Sequence, residues 1–593
     1  MATAQQLNTP SRRRFVWTVG SLLIDEYLRR VSDPKPLCEA IERGDIAWHA
    51  MPCTTHTELM DRSLAQYALG VSKRLDERFG RRTIAAKMTD VPGHTRALLP
   101  CLSQAGVRYL HIGVNGSSRL PKAPVFCRWR CGDAEVLLHY ASEYGSEDAL
   151  GDVALCLAHT EDNLGPPTPD FALKTLRELE RKYPDAQIVA GALDDFVREA
   201  LVHVDELPII DEEIGDTWIH GAATDPYKMG AYRELLRARD RWLADEPSVA
   251  ATPRFDELQR NLLMTCEHTW GRDSKRWLGD YRNWAKRDFE AARKRDLVPM
   301  EDARPAGERV FADAQALRTG CESYGMMEAS WVEQRAYARN AAALIPPRYR
   351  DDLDAQLAAL RPTAPDPLKE CGERSFVMGA RRVEIAPSGA LLLPNEAVSI
   401  QPVRYAVYGG DTVCRCYESY NRNQQTTYQW SWPDFGKPGL EASGLKDRTF
   451  NYELVCVHRQ DNTLTVALRA PEEAADAYGA PRTVHMAYRF GDAIDMRVSW
   501  YQKDASRIPE ELILPMRLGA SGALRVWKLG MAVDPLRVLE GGNRRMHAVD
   551  AVSRGSVRVK TLHAPLCAIG EGGVYDVSER MASEDEGIAF VLY

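Results

Sequence analysis

Short apolar runs followed by amphipathic stretches recur from residue 15 to about residue 205. This pattern predicts strands that alternate with helices around a parallel sheet. About seven strands are expected, which is enough for a closed barrel or for a wide, doubly wound sheet. Their sequences are FVWTV, IAWHA, TIAAKMT, VRYLHIG, EVLLHYA, VALCLAHT and AQIVAG. We expect residues 1–227 to form an α/β barrel of the seven-stranded type.

The pattern changes twice after this region. Residues 228–360 have apolar residues at helical spacing, which predicts a helical bundle, and RDSKRWLGDYRNWAKRDFEAARKRD is expected to be helical throughout. Residues 361–374 are rich in proline and charge and are interpreted as a linker. Residues 375–593 alternate as half-exposed strands do, so we expect an antiparallel β-sandwich uninterrupted by a long helix, with TVCRCYESY and TTYQWSW among its strands. The predicted fold class is therefore multidomain: α/β, then α, then β.

Composition and charge exclude several classes of protein. The 593 residues are 45% hydrophobic and 27% charged, as in an ordinary globular protein with several cores. The formal net charge of -8, without a long Lys/Arg block, argues against binding to nucleic acid. No run approaches the roughly 18–20 apolar residues that span a membrane.

The cysteines and the N-terminal region indicate where the protein works. Thirteen scattered cysteines form neither a dense disulfide framework nor a zinc finger, so we expect a reducing, cytoplasmic compartment. Arg12 to Arg14 followed by FVWTVGSLLI imitates a signal peptide, but Asp25 and Glu26 come directly after it, so the segment is interpreted as a strand entering a helix. Large sandwich surfaces often associate, which leaves a homo-oligomer open.

Polar residues gather where predicted strands end. In KMTDVPGHT, Asp90 ends a strand and is followed at once by a turn, while Glu161 and Asp162 follow another strand, and His49 and His56 a third. Ligands are handled at this edge of α/β sheets. Each residue also has a simpler interpretation: Asp90 as a helix N-cap, Asp162 as a turn residue, and the histidines as structural.

Two carboxyl groups on one rim can hydrolyse a glycosidic bond if they lie about 5–5.5 Å apart. The polar, aromatic segment 212–226, with Trp218 and His220, suits a loop that binds a polar ligand, although a surface loop around a buried Trp218 is an equal alternative. His268 stands in an apolar, helical context, where a structural role is the commoner outcome. Dinucleotide, NTP, zincin and α/β-hydrolase motifs are missing from the sequence.

The domain order and the Asp90 turn resemble glycoside hydrolase family 38, the zinc-dependent retaining α-mannosidases, and more closely an uncharacterised branch of family-38-like proteins. In that family an Asp-Pro-Phe-Gly-His-Ser turn carries the nucleophile, and Asp90-Val91-Pro92-Gly93-His94-Thr95 is similar, with the proline shifted and the phenylalanine absent. The resemblance implies that Asp162, within TEDNLGPPT, is the acid/base and that His268 is a zinc ligand alongside Asp90.

One departure from the family concerns the metal. Its members begin with a strand whose His-x-Asp pair supplies two of four zinc ligands, and no such pair precedes FVWTVGSLLIDEY. Either the start codon was placed too far downstream, or the first strand is missing. Two ligands alone would hold zinc weakly.

The resulting hypothesis is a zinc-dependent retaining hydrolase that acts on α-mannoside-like bonds of a carbohydrate. We expect five residues to contact the sugar: His49, His56, His94, Trp218 and His220. Because half of the metal site is missing, the first alternative is a catalytically silent carbohydrate-binding or scaffold protein. A metal-dependent hydrolase or deacetylase on a related barrel is the second alternative.

Overall fold

The structure is a computed structural model. It describes residues 1–145, 147–160, 165–303, 318–421, 431–519, 521–570, 572–576 and 580–593. Among these residues, no helix combines the length and the apolar character that crossing a bilayer requires.

The helices alternate with strands at first and then follow one another directly. They are α1 Ala2–Leu7, α2 Ser21–Arg30, α3 Lys35–Glu42, α4 Arg62–Phe79, α5 Leu99–Gln104, α6 Pro169–Lys182, α7 Leu193–Ala200, α8 Pro226–Asp245, α9 Pro253–Thr265, α10 Ser274–Trp277, α11 Lys286–Arg295, α12 Tyr324–Leu344, α13 Pro347–Ala359, α14 Gly410–Tyr420 and α15 Glu472–Tyr478.

The strands fall into an N-terminal and a C-terminal set. The N-terminal strands are β1 Trp17–Gly20, β2 Ile46–His49, β3 Ala85–Asp90, β4 Tyr109–Val114, β5 Phe126–Cys131, β6 Ala134–Ala141, β7 Glu147–Leu150, β8 Val153–Cys156 and β9 Ile209–Ile210. The C-terminal strands are β10 Ser375–Met378, β11 Arg381–Ile385, β12 Leu391–Leu393, β13 Val398–Ile400, β14 Arg404–Val407, β15 Arg448–Asn451, β16 Glu453–Gln460, β17 Thr463–Arg469, β18 Thr483–Phe490, β19 Ile494–Tyr501, β20 Glu510–Arg517, β21 Leu524–Lys528, β22 Met531–Val533, β23 Met546–Ala548, β24 Ala551–Arg554, β25 Val557–Lys560, β26 Leu566–Ile569 and β27 Ile588–Val591.

The N-terminal strands form a mixed sheet, and the expected closed barrel is not found among the described residues. Five strands pair in the order β3-β4-β6-β5-β9, and β1 pairs with β2 as a separate parallel pair. The β3-β4 and β4-β6 pairs are parallel, but β5 and β6 form an antiparallel hairpin. A backbone hydrogen bond from the Ala50 N–H, directly after β2, to the Ala85 carbonyl of β3 connects this pair to the five-stranded sheet (2.9 Å).

Two other predicted strands belong neither to this sheet nor to the β1-β2 pair. VALCLAHT contributes β8, which pairs with β7 in a separate hairpin. AQIVAG forms no regular strand. Its Val189 is 67% exposed, so this side chain does not pack into the core. An apolar run alone does not distinguish a sheet strand from other extended segments.

The helical region divides where polar side chains bind the backbone. The expected continuous helix across residues 272–296 breaks between α10 and α11, because the buried Asp280 carboxylate accepts hydrogen bonds from the backbone N–H groups of Arg282 (3.0 Å) and Asn283 (3.1 Å). Such local bonds compete with helix formation. α12 packs against α8 and α9, and α13 packs against α8. The predicted domain boundaries stay predictions.

The C-terminal strands pair antiparallel in sheets of ten, four and four strands. Whether these sheets form a layered sandwich stays a prediction. TVCRCYESY, expected as a strand, lies in helix α14. Val413 and Tyr417, four residues apart, are both buried on one face of this helix. The apolar positions therefore follow the helical period, not the two-residue period of a strand.

A buried ionic cluster joins the N-terminal and C-terminal parts of the chain. The Lys528 ammonium of β21 lies 2.9 Å from Glu58 Oε2 and 3.1 Å from Glu213 Oε2. His547 Nδ1 of β23 is 3.1 Å from the same ammonium, and burial together with the Lys528 charge holds the pKa of His547 well below its usual value, so the neutral ring accepts a hydrogen bond. We call these four residues the Lys528 cluster.

Replacement of Lys528 by methionine is expected to destabilise the fold by about 3–5 kcal/mol, because it leaves two carboxylates buried without a cation. Urea unfolding followed by circular dichroism measures the change. Lys446→Met is the matched control, since the Lys446 side chain is 74% exposed, and it should cost less than about 0.5 kcal/mol.

The triple variant Lys528→Met/Glu58→Gln/Glu213→Gln should recover much of the lost stability, because it removes the unpaired charges. A loss for Lys528→Met no larger than that of the control would contradict a structural role for the cluster.

Candidate functional site

Asp90 occupies a strained backbone position at the carboxyl end of β3. Its φ is +71°, in the left-handed region that residues with a Cβ rarely adopt. Such strain costs about 1–3 kcal/mol and concentrates at functional sites. Asp90 does not cap the helical turn that follows: the Thr95 hydroxyl does, by accepting from the Ala97 N–H. The interpretation of Asp90 as an N-cap is therefore wrong.

Gly93 explains why the turn after Asp90 has its sequence. A Cβ at Gly93 would lie 2.3 Å from the Gly215 carbonyl oxygen, so only glycine allows the two backbones to approach. This contact brings the segment 213–218 against the end of β3. The Asp90 turn is thereby fixed by a distant part of the chain.

Three side chains hold the Asp90 carboxylate. Oδ1 accepts hydrogen bonds from Asn115 Nδ2 (3.0 Å) and from the Tyr144 hydroxyl, and Oδ2 lies 3.3 Å from His268 Nε2. Burial acts to raise the pKa of Asp90, but the hydrogen bonds from His268, Asn115 and Tyr144 outweigh it and lower the pKa. Asp90 is therefore ionised at neutral pH.

His268 stands between two carboxylates. It follows the end of α9 in an irregular segment, not within a helix, and its Nδ1 is 2.7 Å from Glu267 Oε1. Burial acts to lower the pKa of His268, yet the hydrogen bonds to Asp90 and Glu267 raise it to about 10. Without a metal, His268 is thus an imidazolium that donates to both neighbours.

The pair Asp90 and His268 fits half of a tetrahedral zinc site. Ligand distances of about 2.0–2.1 Å at a tetrahedral angle put two ligand atoms about 3.3–3.4 Å apart, and Asp90 Oδ2 and His268 Nε2 are 3.3 Å apart. The carboxylate of Glu267 on the far ring nitrogen is the usual outer support of a zinc-bound histidine. Among the described residues, however, no group of three or more metal-binding side chains comes together.

Two further predicted residues, His56 and His94, are buried on segments that adjoin this pair: the His56 N–H donates to the Cys266 carbonyl, two residues before His268, and His94 follows Asp90 by four residues. His56 Nδ1 is 2.6 Å from Asp216 Oδ2, and the His56 ring stacks on Trp270 at 4.8 Å between centroids. His94 Nδ1 is 3.2 Å from the Thr57 hydroxyl oxygen, and burial lowers the pKa of His94 to about 4. In the part of the chain that the structure describes, the Nε2 atoms of His56 and His94 have no hydrogen-bond partner.

The other predicted contacts are placed less centrally. His49 ends β2 and is 9% exposed. Trp218 is half-buried, with its ring 6.4 Å from that of Phe435, and His220 is exposed on the short turn Ile219–Thr224. Asp162 and Glu161 lie outside the described residues.

Several residues of the site were not predicted from the sequence: Asn115, Tyr144, Glu267, Asp216 and Trp270. Asn115 directly follows β4, so the rule that directed attention to the ends of strands could have found it. Asp216 stands in the polar segment 212–226 that was noted as a whole. No local sequence pattern indicated Tyr144, because its role depends on a tertiary contact with Asp90.

The comparisons with known proteins agree with a glycoside-hydrolase-like fold. An alpha-mannosidase from Enterococcus faecalis V583 superposes with a TM-score of 0.54 at 8% identity, covering 97% of this chain and 78% of that chain. A protein in glycosyl hydrolase family 38 from Enterococcus faecalis gives 0.54 at 9% identity, covering 97% and 77%. The fold therefore resembles that of family 38, and identities this low support the fold alone.

Sequence comparison adds no activity. Residues 222–498 match a family described as a domain of unknown function, DUF5054. No curated protein matches the sequence.

The metal-free protein should owe part of its stability to the His268 imidazolium. Because the pKa of His268 is raised from 6.5 to about 10 on folding, this stabilisation is fully present below pH 6.5 and is lost as the pH rises to 10. With a chelator present, wild type should exceed His268→Gln by a few kcal/mol at pH 6 and by much less at pH 10. Urea unfolding at pH 6, 8 and 10 measures the difference.

Glu267→Gln is the companion variant, since it removes one of the two carboxylates and should move the loss of stability to lower pH. A difference between wild type and His268→Gln that does not change with pH would rule out the imidazolium.

Proposed function

We propose that the protein is a retaining glycoside hydrolase of the α-mannosidase type, with Asp90 as its nucleophile. The observation that carries the proposal is the ionised Asp90 carboxylate, held on a strained turn at the end of β3 against His268, in a fold that resembles family 38. An ionised carboxylate fixed at a strand end is the group that a double displacement requires.

In the first step, Asp90 attacks the anomeric carbon and the bond to the leaving oxygen breaks. Asp162 gives its proton to that oxygen, so the aglycone leaves as an alcohol and the sugar stays esterified to Asp90. In the second step, water attacks the same carbon, Asp162 takes the proton back, and Asp90 is released as a carboxylate.

Two contacts support a role for the segment that leads to Asp162. The His159 ring lies 6.0 Å from the Tyr144 ring, and the Tyr144 hydroxyl donates to Asp90. The chain therefore reaches the rim of the site three residues before Asp162.

Asp90 and His268 are the described residues that would hold a zinc ion. When bound, zinc supplies Lewis-acid chemistry, orienting the carboxylate and binding sugar hydroxyls. Glu267 keeps His268 in the orientation that presents Nε2 to Asp90 Oδ2, and Asn115 and the Tyr144 hydroxyl fix Asp90 Oδ1 by donating hydrogen bonds to it. We assign substrate contacts to His49, His56, His94, Trp218 and His220, since unpartnered ring nitrogens and a half-buried indole suit a polyol.

The second candidate is a carbohydrate-binding protein without turnover. It is favoured by the fact that the described residues bring two metal-binding side chains together and not three. It predicts sugar binding that survives Asp90→Asn, with no stoichiometric zinc in the purified protein.

Asp90→Asn should lower the release of nitrophenol from a panel of nitrophenyl α- and β-glycosides by on the order of 10³-fold or more, because the amide is a poor nucleophile. Asparagine tolerates the left-handed region, so the variant should fold as wild type does. Asp133→Asn, at an exposed turn, is the matched control and should keep full activity.

The panel is measured with a chelator and again with added zinc, and metal content is determined by mass spectrometry. Dependence of turnover on zinc that disappears in His268→Ala supports the assigned ligands. Absence of turnover on every glycoside, with or without zinc, contradicts the enzyme and favours the second candidate.

A further inference from the structure

Lys87 is a half-buried cation of the N-terminal sheet, and the charge of Asp90 acts on it from beyond ion-pair distance. It lies on β3, three residues before Asp90, and its ammonium donates to the Thr89 hydroxyl at 2.8 Å. Among the described residues, no carboxylate is within ion-pair distance of this ammonium. Thr89 is closer than Lys87 to the carboxyl end of the strand, so the side chain points along β3 toward the Asp90 site.

Imidazoles from three neighbouring strands share this face of the sheet. Lys87 pairs in register with His111 of β4, and His111 pairs with His139 of β6. His49, at the end of β2, is close enough for the Lys87 charge to act on it. Since alternate residues of a strand face the same side, these four side chains form one row beneath the site.

The positive charge of the row resides on Lys87. Burial, and then the charge of Lys87, lowers the pKa of His49 to about 3, and the same two causes act on His111. His139 is already engaged, with Nδ1 at 2.7 Å from the Tyr109 hydroxyl and Nε2 at 2.9 Å from Asp148. His49 is neutral and 9% exposed; the Met51 backbone also acts on its pKa, and its Nδ1 has no hydrogen-bond partner within 3.5 Å in the described part of the chain.

A lysine in the interior of a protein is ordinarily paired, because removing an ammonium from water without a counter-charge is costly. Lys87 offers donor capacity beyond its bond to Thr89, and His49 offers an unused ring nitrogen beside it. Donors of this kind, on the strand that ends at the proposed nucleophile Asp90, match a negatively charged group on a molecule bound there.

We propose that Lys87, Thr89 and His49 form a subsite for an anionic substituent, a carboxylate, sulfate or phosphate, on the sugar that binds at Asp90. The inference rests on the proposed function and narrows its substrate class from neutral sugars to acidic ones. The ammonium supplies the charge, while the hydroxyl of Thr89 and the ring of His49 supply hydrogen bonds.

Isothermal titration calorimetry with sodium glucuronate, inorganic sulfate and inorganic phosphate tests the subsite without any turnover, and glucose is the neutral probe. Wild type should bind at least one of the anions saturably and at least tenfold more tightly than glucose. Lys87→Met should weaken that binding by about tenfold or more, the loss typical of one hydrogen bond to a charged group.

Lys87→Arg keeps the charge and should keep binding within a few-fold. Lys73→Met, at an exposed position of α4, is the matched control and should bind as wild type does. Circular dichroism and the urea midpoint establish that each variant is folded. If Lys87→Met does not fold, the comparison of anions with glucose on wild type still decides the proposal.

Equal binding by wild type and a folded Lys87→Met overturns the subsite, as does wild type that binds none of the three anions. Preference for glucuronate indicates uronic acids, and preference for sulfate or phosphate indicates esterified sugars. Anion binding without hydrolysis of any glycoside refutes the proposed function but keeps the subsite. Hydrolysis of neutral mannosides without anion binding supports the proposed function and refutes the subsite.

Discussion

The Lys528 cluster is the interaction on which the geometry of the site depends. Glu58 stands two residues after His56, and Glu213 three residues before Asp216, so one ammonium from the C-terminal sheet holds both loops that supply the His56–Asp216 pair. Each carboxylate also accepts a backbone hydrogen bond: Glu58 from the Ala548 N–H, and Glu213 from the Arg96 N–H. A buried ion pair repays its desolvation when the remaining hydrogen-bonding capacity is satisfied in this way.

Through the Lys528 cluster, the C-terminal strands support the site structurally. Glu213 exchanges backbone hydrogen bonds with Arg537 and Leu539, and the Asn543 N–H donates to the Gly215 carbonyl. Gly93 packs on the other side of the same backbone. The segment around Gly215 thus contacts both the Asp90 turn and the C-terminal residues 537–543, which are distant from it in sequence. A site of this kind forms only when the whole chain has folded.

Local pattern was sufficient for features that local forces decide. The strand before Asp90 and the turn after it followed from an apolar run and from proline and glycine. Pattern failed where a tertiary contact selects between two periods: Val413 and Tyr417 suit an alternating strand as well as a helix, and burial on one side chose the helix. Asp216 and Tyr144 were missed because their partners, His56 and Asp90, are far away in sequence.

The charges around Asp90 link the binding of a metal ion to the binding of an anionic substrate. Asp90 and Glu267 carry two negative charges, and His268 and Lys87 carry two positive ones when His268 is protonated, so the charges of these four residues then cancel. A metal ion must displace the His268 proton, because both need Nε2, and a divalent ion in its place raises the charge of the site by one. An anionic substituent beside Lys87 would offset that increase, so metal binding and anion binding should reinforce each other at this site.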